Sequence, residues 1–268
     1  MKTRKGSPSF KQSQSIRRMV ITAMLSAITA LLAFTPIGMI MLPPPLPAVT
    51  LVHIPVIVAA LIEGPWVGLP VGLVFGVCSL IRAWESGMVG LTLFFRNPLV
   101  SVLPRLMIPL TAYGVYLLWQ RLTRRNSAAK QNAVVSQIGV VAASAIGALT
   151  NTVLCLGAIM LLYGGELTVL VNNLIGLGGA SDAYMNQSGA WLVAAVGLPN
   201  GIAEMLVAAI LVPMVKTAVD AITRRGSRTK RTVAATFPAT VAADPAADAT
   251  QPTEAQGAEH PSKPDWHL

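Results

Sequence analysis

The sequence predicts an all-α integral membrane protein with six transmembrane helices, a proline-rich outer loop between the first two helices, and cytoplasmic N and C termini. The composition is the first reason, because hydrophobic residues make up 53% of the 268-residue chain and charged residues only 12%. A soluble domain carries about twice that charged fraction. The second reason is that several apolar runs reach about 20 residues, enough to cross a hydrocarbon core about 30 Å thick. The third is the distribution of basic residues.

Lysine and arginine are concentrated on one side of the predicted membrane. Six precede the first span, four lie between spans 4 and 5, and six lie between residues 216 and 231, whereas the opposite connections carry only Arg82 and Arg96. The positive-inside rule therefore places both termini in the cytoplasm. The formal net charge of +9 comes from these helix ends, so it does not indicate nucleic-acid binding.

The six spans follow one another between turns and polar segments. Their predicted ranges are about 19–34, 51–62, 66–82, 98–120, 134–163 and 190–222. Span 2 is too short to cross a bilayer upright, so the loop before it has to supply part of the crossing. Asn97 is the expected N-cap of span 4, with Pro98 at the first helical position. A separate interfacial helix is expected near residues 167–177.

The composition divides the chain into three parts. Residues 1–17 form a basic cytoplasmic N-terminus, and residues 18–222 form the six-helix membrane domain. Residues 223–268 are first basic and then rich in Ala, Pro, Thr and Asp. Because this last part has little apolar surface to bury, we predict that it is a disordered cytoplasmic tail.

A proline-rich loop with apolar flanks joins spans 1 and 2. It contains Pro43, Pro44, Pro45 and Pro47, so it cannot be one continuous helix. Irregular backbone at membrane depth has to be covered by protein or line a cavity. We therefore predict that this loop is a stiff lid over a small-molecule pocket on the outer face.

Polar side chains within the spans indicate the ligand site, because a charge at membrane depth is costly and faces a cavity or a partner. The predicted substrate-binding residues are His53, Asn97, Arg105, Asn151, Asn200 and Glu204. Asn200 and Glu204 are four residues apart and so share one face of span 6. The alternatives are an Arg105–Glu204 ion pair within the chain, with Asn151 joining helices and His53 packing at a helix end.

Several motifs of enzymes are missing from the sequence. There is no glycine-rich phosphate loop with lysine and serine or threonine, so the chain is not expected to hydrolyse ATP. Paired histidines at metal-ligand spacing and a serine nucleophile elbow are missing as well. The two cysteines, Cys78 and Cys155, both lie in apolar runs. We expect no enzymatic activity, no metal and no cofactor.

Small residues recur at helical spacing in span 1. Ala23 and Ala27 are four residues apart, and so are Ser26 and Ala30. This spacing lets another helix approach closely in lipid. The same pattern also suits packing within the chain.

Over residues 17–222 the chain resembles the substrate-binding S components of energy-coupling factor (ECF) vitamin transporters, and it is most similar to the pantothenate-type branch. The motifs that carry the resemblance are Ala23-xxx-Ala27, Thr35-Pro36-Ile37-Gly38, Pro45 to Val49, His53-Ile54-Pro55, Gly64-Pro65, Gly72-xxx-Gly76, Pro104-Arg105, Thr150-Asn151-Thr152 and Asn200-Gly201-xx-Glu204.

The resemblance implies a subunit of an importer in the bacterial cytoplasmic membrane. Such a subunit captures a vitamin or related micronutrient, here with pantothenate favoured, and delivers it inward with a T subunit and two cytoplasmic ATPases. The face with Ala23, Ser26, Ala27 and Ala30 would then meet the T subunit. The competing hypothesis is a self-sufficient secondary carrier or channel in which Arg105 and Glu204 relay ions or protons.

Overall fold

The computed structural model describes residues 10–40, 49–85, 90–123, 133–176 and 197–236. These residues are almost entirely helical. The helices are α1 (Phe10–Phe34), α2 (His53–Glu63), α3 (Pro65–Glu85), α4 (Pro98–Ser101), α5 (Leu103–Thr123), α6 (Ala133–Gly176) and α7 (Leu198–Thr236). Two 3-10 segments, Pro36–Gly38 and Gly90–Arg96, and two short strands, β1 (Met39–Ile40) and β2 (Val49–Thr50), complete the described part.

Five helical segments of the described part are long and apolar enough to cross a membrane. They are Gln14–Phe34, Pro65–Glu85, Pro98–Thr123, Val134–Leu167 and Leu198–Thr223. The apolar helix α2 has 11 residues and is shorter than a bilayer requires. A helical membrane protein is therefore confirmed as the fold class.

The helix boundaries differ from the predicted ones at both ends of the chain. α1 begins at Phe10 instead of near residue 19, because lysine and arginine can extend their charged ends away from an apolar helix without interrupting it. α7 continues to Thr236, beyond the expected end near residue 222. Residues 190–196, which were assigned to span 6, lie outside the described part.

Spans 4 and 5 also differ from expectation, in opposite ways. Span 4 is divided at Val102 into α4 and α5, since Pro104 has no N–H to continue the helical bonding. Span 5 and the expected interfacial helix form one element, α6, which kinks at Tyr163 (φ −130°, ψ 26°). The predicted break is therefore a kink.

The short helix α2 occupies the centre of the helical core. Val56, Ile57 and Ala59 are fully buried, as expected for a helix that is apolar on every side. α3 packs against α2 and also against α5, and its glycine stripe gives the closest approach to α5. A Cβ on Gly68 would lie 2.6 Å from Cβ of Pro109, and a Cβ on Gly72 would lie 2.7 Å from the carbonyl oxygen of Arg105. Only glycine permits this approach of α3 to α5.

The strands β1 and β2 form an antiparallel pair after α1. Met39 pairs with Thr50, and the amide of Leu51 donates to the carbonyl of Gly38 at 2.8 Å. The pair holds the two ends of the predicted lid loop together. Pro43, Pro44, Pro45 and Pro47 themselves lie outside the described residues.

The chain divides into two compact units, Met1–Asp220 and Ala221–Leu268. The second unit is described only over residues 221–236, which are helical.

Burial differs between the membrane spans: 11% of the α1 span and 17% of the α7 span are buried, against 44% of the α3 span. An ion pair of 2.7 Å between Arg17 and Glu63 joins α1 to the end of α2.

Candidate functional site

The first unit contains a cavity of about 320 Å³ between β2, α3, α5, α6 and α7. Most of its wall is apolar, and the polar groups are few. The residues that line it are Ala33, Met39, Thr50, Val52, Phe75, Ser79, Arg82, Ala83, Phe95, Arg105, Asn151, Thr152, Cys155, Leu156, Ile159, Gly197, Asn200 and Glu204. An apolar pocket with a few convergent polar groups is typical of a small-molecule site.

Arg105 lies in the cavity wall near the start of α5, and its side chain is 94% buried. Pro104 explains its position. Because proline has no N–H, the carbonyl of Val100 has no helical partner at residue 104. Nη1 of Arg105 donates to that carbonyl at 2.9 Å and to Sγ of Cys155 at 2.7 Å.

Two phenyl rings also contact the Arg105 guanidinium. Its Cζ atom is 5.3 Å from the ring centroid of Phe75 and 5.1 Å from that of Phe95, within the range of a cation–π interaction. Nε of Arg105 is buried and has no hydrogen-bond partner in the described residues. The guanidinium is therefore held in place and retains an unused donor.

Glu204 lies in the cavity wall on α7 and is almost completely buried. Its Oε1 accepts hydrogen bonds from the backbone N–H of Thr50, at 3.3 Å, and from the Thr50 hydroxyl. Its Oε2 accepts from the Thr152 hydroxyl at 3.2 Å. Among the ion pairs of the described residues, none joins Glu204 to Arg105.

Two amide side chains lie in the same cavity wall. Asn151 is buried on α6, one helical turn before Cys155. Asn200 lies on α7, one turn before Glu204, and its Oδ1 is buried without a hydrogen-bond partner in the described part. Four of the six predicted substrate-binding residues therefore meet at one cavity.

The remaining two predicted residues do not line this cavity. His53 is fully buried beside Glu204, and neither ring nitrogen has a hydrogen-bond partner within the described ranges. Asn97 caps α4: its Oδ1 accepts from the amide of Leu99 at 2.9 Å, as expected for an N-cap. Its Nδ2 donates to the hydroxyl of Tyr163 at 3.0 Å.

The sequence matches the family described as ECF transporter, substrate-specific component, over residues 17–216. The chain belongs to this family. It is thus a substrate-binding subunit of a transporter, and membership implies that it works with T and ATPase subunits. The family resemblance is confirmed at this level, and the pantothenate-type branch stays a prediction.

A solved structure of ThiT from Listeria monocytogenes is similar to this ECF component, with a TM-score of 0.47 and 16% sequence identity. The alignment covers 75% of this chain and 96% of the other. No curated protein sequence matches the chain.

The predicted partner face of the ECF component is partly accessible. Ala23 and Ala27 are exposed on α1, whereas Ser26 and Ala30 are half-buried. The role of the alanine face stays a prediction.

No group of three or more His, Cys, Asp or Glu side chains that could hold a metal occurs in the described residues.

Sequence reasoning missed several residues of the site. Cys155 could have been found, since it is four residues after Asn151 and shares its face of α6. Helical spacing does not place Thr152, the residue after Asn151, on that face. Phe75 and Phe95 look like ordinary packing residues, and they join the site only through the position of Arg105. Thr50 carried no signal, because its partner Glu204 is 154 residues away in the chain.

Proposed function

We propose that this ECF component captures from outside a small polar micronutrient that carries a carboxylate, with pantothenate as the first candidate. It would deliver the ligand inward with a T subunit and two cytoplasmic ATPases in a bacterial membrane. The proposal also includes six membrane crossings and cytoplasmic N and C termini. One of the crossings is supplied by α2 together with the proline loop. The observation that carries it is the buried Arg105 guanidinium in the cavity wall.

Arg105 suits a carboxylate for three reasons. Its Nε has no hydrogen-bond partner in the described part of the chain, and a guanidinium can bind a carboxylate through two parallel hydrogen bonds. It is buried against the rings of Phe75 and Phe95, and burial strengthens electrostatic attraction. In the described residues its nitrogens contact a carbonyl and a thiol but no carboxylate. A ligand anion would supply the missing negative charge.

The part of the wall formed by α7 suits the polar body of such a ligand. Oδ1 of Asn200 is an acceptor without a partner among the described residues, and the Glu204 carboxylate adds another acceptor. Hydroxyl and amide groups, which pantothenate carries beside its carboxylate, can donate to both. Asn151 offers an amide that can donate as well as accept.

The test is isothermal titration of pantothenate against the parent protein, Arg105→Lys and Arg105→Ala in nanodiscs. Loss of a buried charge–carboxylate contact costs about 2–5 kcal/mol, or roughly 30-fold to several thousand-fold in affinity. Arg105→Lys keeps the charge but not the two-point geometry, so we expect it to weaken binding strongly. Arg121→Lys, on the same helix but exposed outside the cavity, is the control. Parent-like binding by both Arg105 variants would show that Arg105 is structural.

The competing carrier hypothesis needs its own test. The purified chain is reconstituted alone in liposomes, and uptake of labelled pantothenate is measured with and without an ion gradient. An S component binds the ligand and does not accumulate it, since ATP hydrolysis belongs to its partners. Accumulation by the chain alone would favour a secondary carrier. Mass spectrometry of small molecules that co-purify would identify the ligand independently.

A further inference from the structure

We infer that Thr50 is a positioning residue of the ligand site: it fixes the Glu204 carboxylate, and through that carboxylate it couples ligand binding to the β1–β2 pair. The inference rests on the proposed function. It concerns a residue outside the predicted ligand set and defines how β2 is joined to α7.

Both hydrogen-bond donors of Thr50 are committed to one oxygen atom. Its backbone N–H and its hydroxyl donate to Oε1 of Glu204, while Thr152 donates to Oε2. A glutamate side chain has three rotatable bonds, and ordering it on binding has an entropic cost. Thr50 and Thr152 order the Glu204 side chain before a ligand binds, so the orientation of its carboxylate plane is already fixed.

Thr50 is itself held firmly. It pairs with Met39 across the two strands, and the next amide, of Leu51, bonds to Gly38. A Cβ on Gly38 would collide with the carbonyl group of Leu32, so the 3-10 segment that leads into β1 lies directly against the end of α1. Met39 and Thr50 both line the cavity, and a movement of Thr50 therefore moves two parts of the wall.

The carboxylate has room for a ligand as well. A carboxylate accepts about four hydrogen bonds, and Glu204 receives three from the described residues. One turn before it, Oδ1 of Asn200 has no hydrogen-bond partner among those residues. A ligand group with one or two donors, such as a hydroxyl pair or an amine, can bind here while Thr50 stays bonded to Oε1. By linkage, if Thr50 strengthens ligand binding at Glu204, the ligand strengthens the Thr50 attachment by the same factor.

The first measurement needs no ligand. Hydrogen exchange of the Thr50 and Leu51 amides is followed by mass spectrometry in nanodiscs, in the parent, Thr50→Val and Thr152→Val. Both variants remove one hydroxyl donor from the same carboxylate at nearly constant volume, but only the first loosens β2. We expect exchange to rise about 10-fold in Thr50→Val and to stay at the parent rate in Thr152→Val. Equal exchange in all three would overturn the inference.

The second measurement uses pantothenate as the probe. We expect Thr50→Val to bind it about 10-fold more weakly, the typical effect of one lost charge-assisted hydrogen bond, and Thr50→Ser to recover most of the loss. Bound pantothenate should slow exchange of the Thr50 amide in the parent but not in Glu204→Gln. Parent-like affinity in Thr50→Val, or equal protection in Glu204→Gln, contradicts the coupling.

The two proposals fail in different ways. If the folded parent does not bind pantothenate, the proposed ligand is wrong, and the ligand-free exchange experiment still decides whether Thr50 is attached to Glu204. If pantothenate binds and depends on Arg105 but not on Thr50, the proposed function stands and the positioning role is overturned. The ligand group that donates to Glu204 can be a hydroxyl pair or an amine. Binding of a hydroxyl ligand and of its amine analogue to Glu204→Gln distinguishes the two groups, since only the ammonium loses an ionic partner.

Discussion

Pro104 and Arg105 act as one unit in this site. The proline leaves the Val100 carbonyl without a helical donor, and the next side chain along the chain uses that carbonyl. A sequence pattern of two residues thereby orients a charge that lies more than nine-tenths buried. The same proline ends α4, so the break in the helix and the placement of the guanidinium have one cause.

Asn151 and Asn97 should behave in opposite ways when replaced by alanine. Asn151 lines the cavity, and loss of a buried hydrogen bond to the ligand costs about 1–3 kcal/mol, less than the loss at Arg105. Asn97 caps α4, and loss of an N-cap costs about 1 kcal/mol of stability. Titration with pantothenate and thermal unfolding separate the effects. A larger loss of affinity in Asn97→Ala would restore Asn97 to the ligand site.

At the residue scale, the sequence predicted the amide groups of the cavity and two of its three charged groups, Arg105 and Glu204, but not Arg82. It also did not predict what holds these groups in place. Arg105, Asn151, Asn200 and Glu204 were identifiable because a polar side chain is conspicuous in an apolar span. Cys155 and Phe95 are not conspicuous there. Their contribution depends on distances to Arg105 that arise only when α3, α5 and α6 are packed.

The glycine stripe of α3 connects helix packing to the ligand site. Gly72 lies against the carbonyl oxygen of Arg105, and a Cβ on Gly76 would lie 2.8 Å from Cα of Val102. Both neighbouring atoms belong to the backbone, which cannot move aside as a flexible side chain can. The depth of Arg105 in the cavity therefore depends on residues that never contact a ligand.

Gly72→Ala is accordingly expected to damage both stability and binding. Overpacking of a tight contact costs about 1–3 kcal/mol, and the displaced backbone carries Arg105 with it. Gly114→Ala on α5 is the matched control, because a Cβ there meets nothing within 4 Å and alanine favours a helix. Thermal unfolding and pantothenate titration are the measurements. Equal behaviour of the two variants would contradict this account of α3.

At the element scale, long apolar runs were predicted well and their ends poorly. Composition identifies a span, but it does not show whether a helix stops or bends at a pair of glycines. At Gly164 the expected end of span 5 became a kink at Tyr163, where Phe94 packs against the tyrosine ring and Asn97 bonds its hydroxyl. Such support comes from distant residues and is invisible in the local sequence.

The exposed alanine face of α1 bears on assembly. Replacing Ala23 and Ala27 together by leucine should prevent close approach of a T-subunit helix while leaving the cavity intact. We expect loss of co-purification with the T subunit and loss of uptake, with unchanged pantothenate affinity of the isolated chain. Ala218→Leu, at an exposed position on α7, is the control. Normal assembly of the double variant would show that this face contacts only lipid.

The uneven burial of the spans has a practical consequence for solubilisation. α1 and α7 are the least buried spans, so in the bilayer much of their contact is with lipid. Short-chain detergents would therefore displace them before the core of α2, α3 and α5. Because α7 carries Asn200 and Glu204 while α5 carries Arg105, partial loosening divides the cavity wall and leaves most helical content intact. A purified preparation of this protein is best judged by ligand binding, since circular dichroism would report a normal fold for an inactive sample.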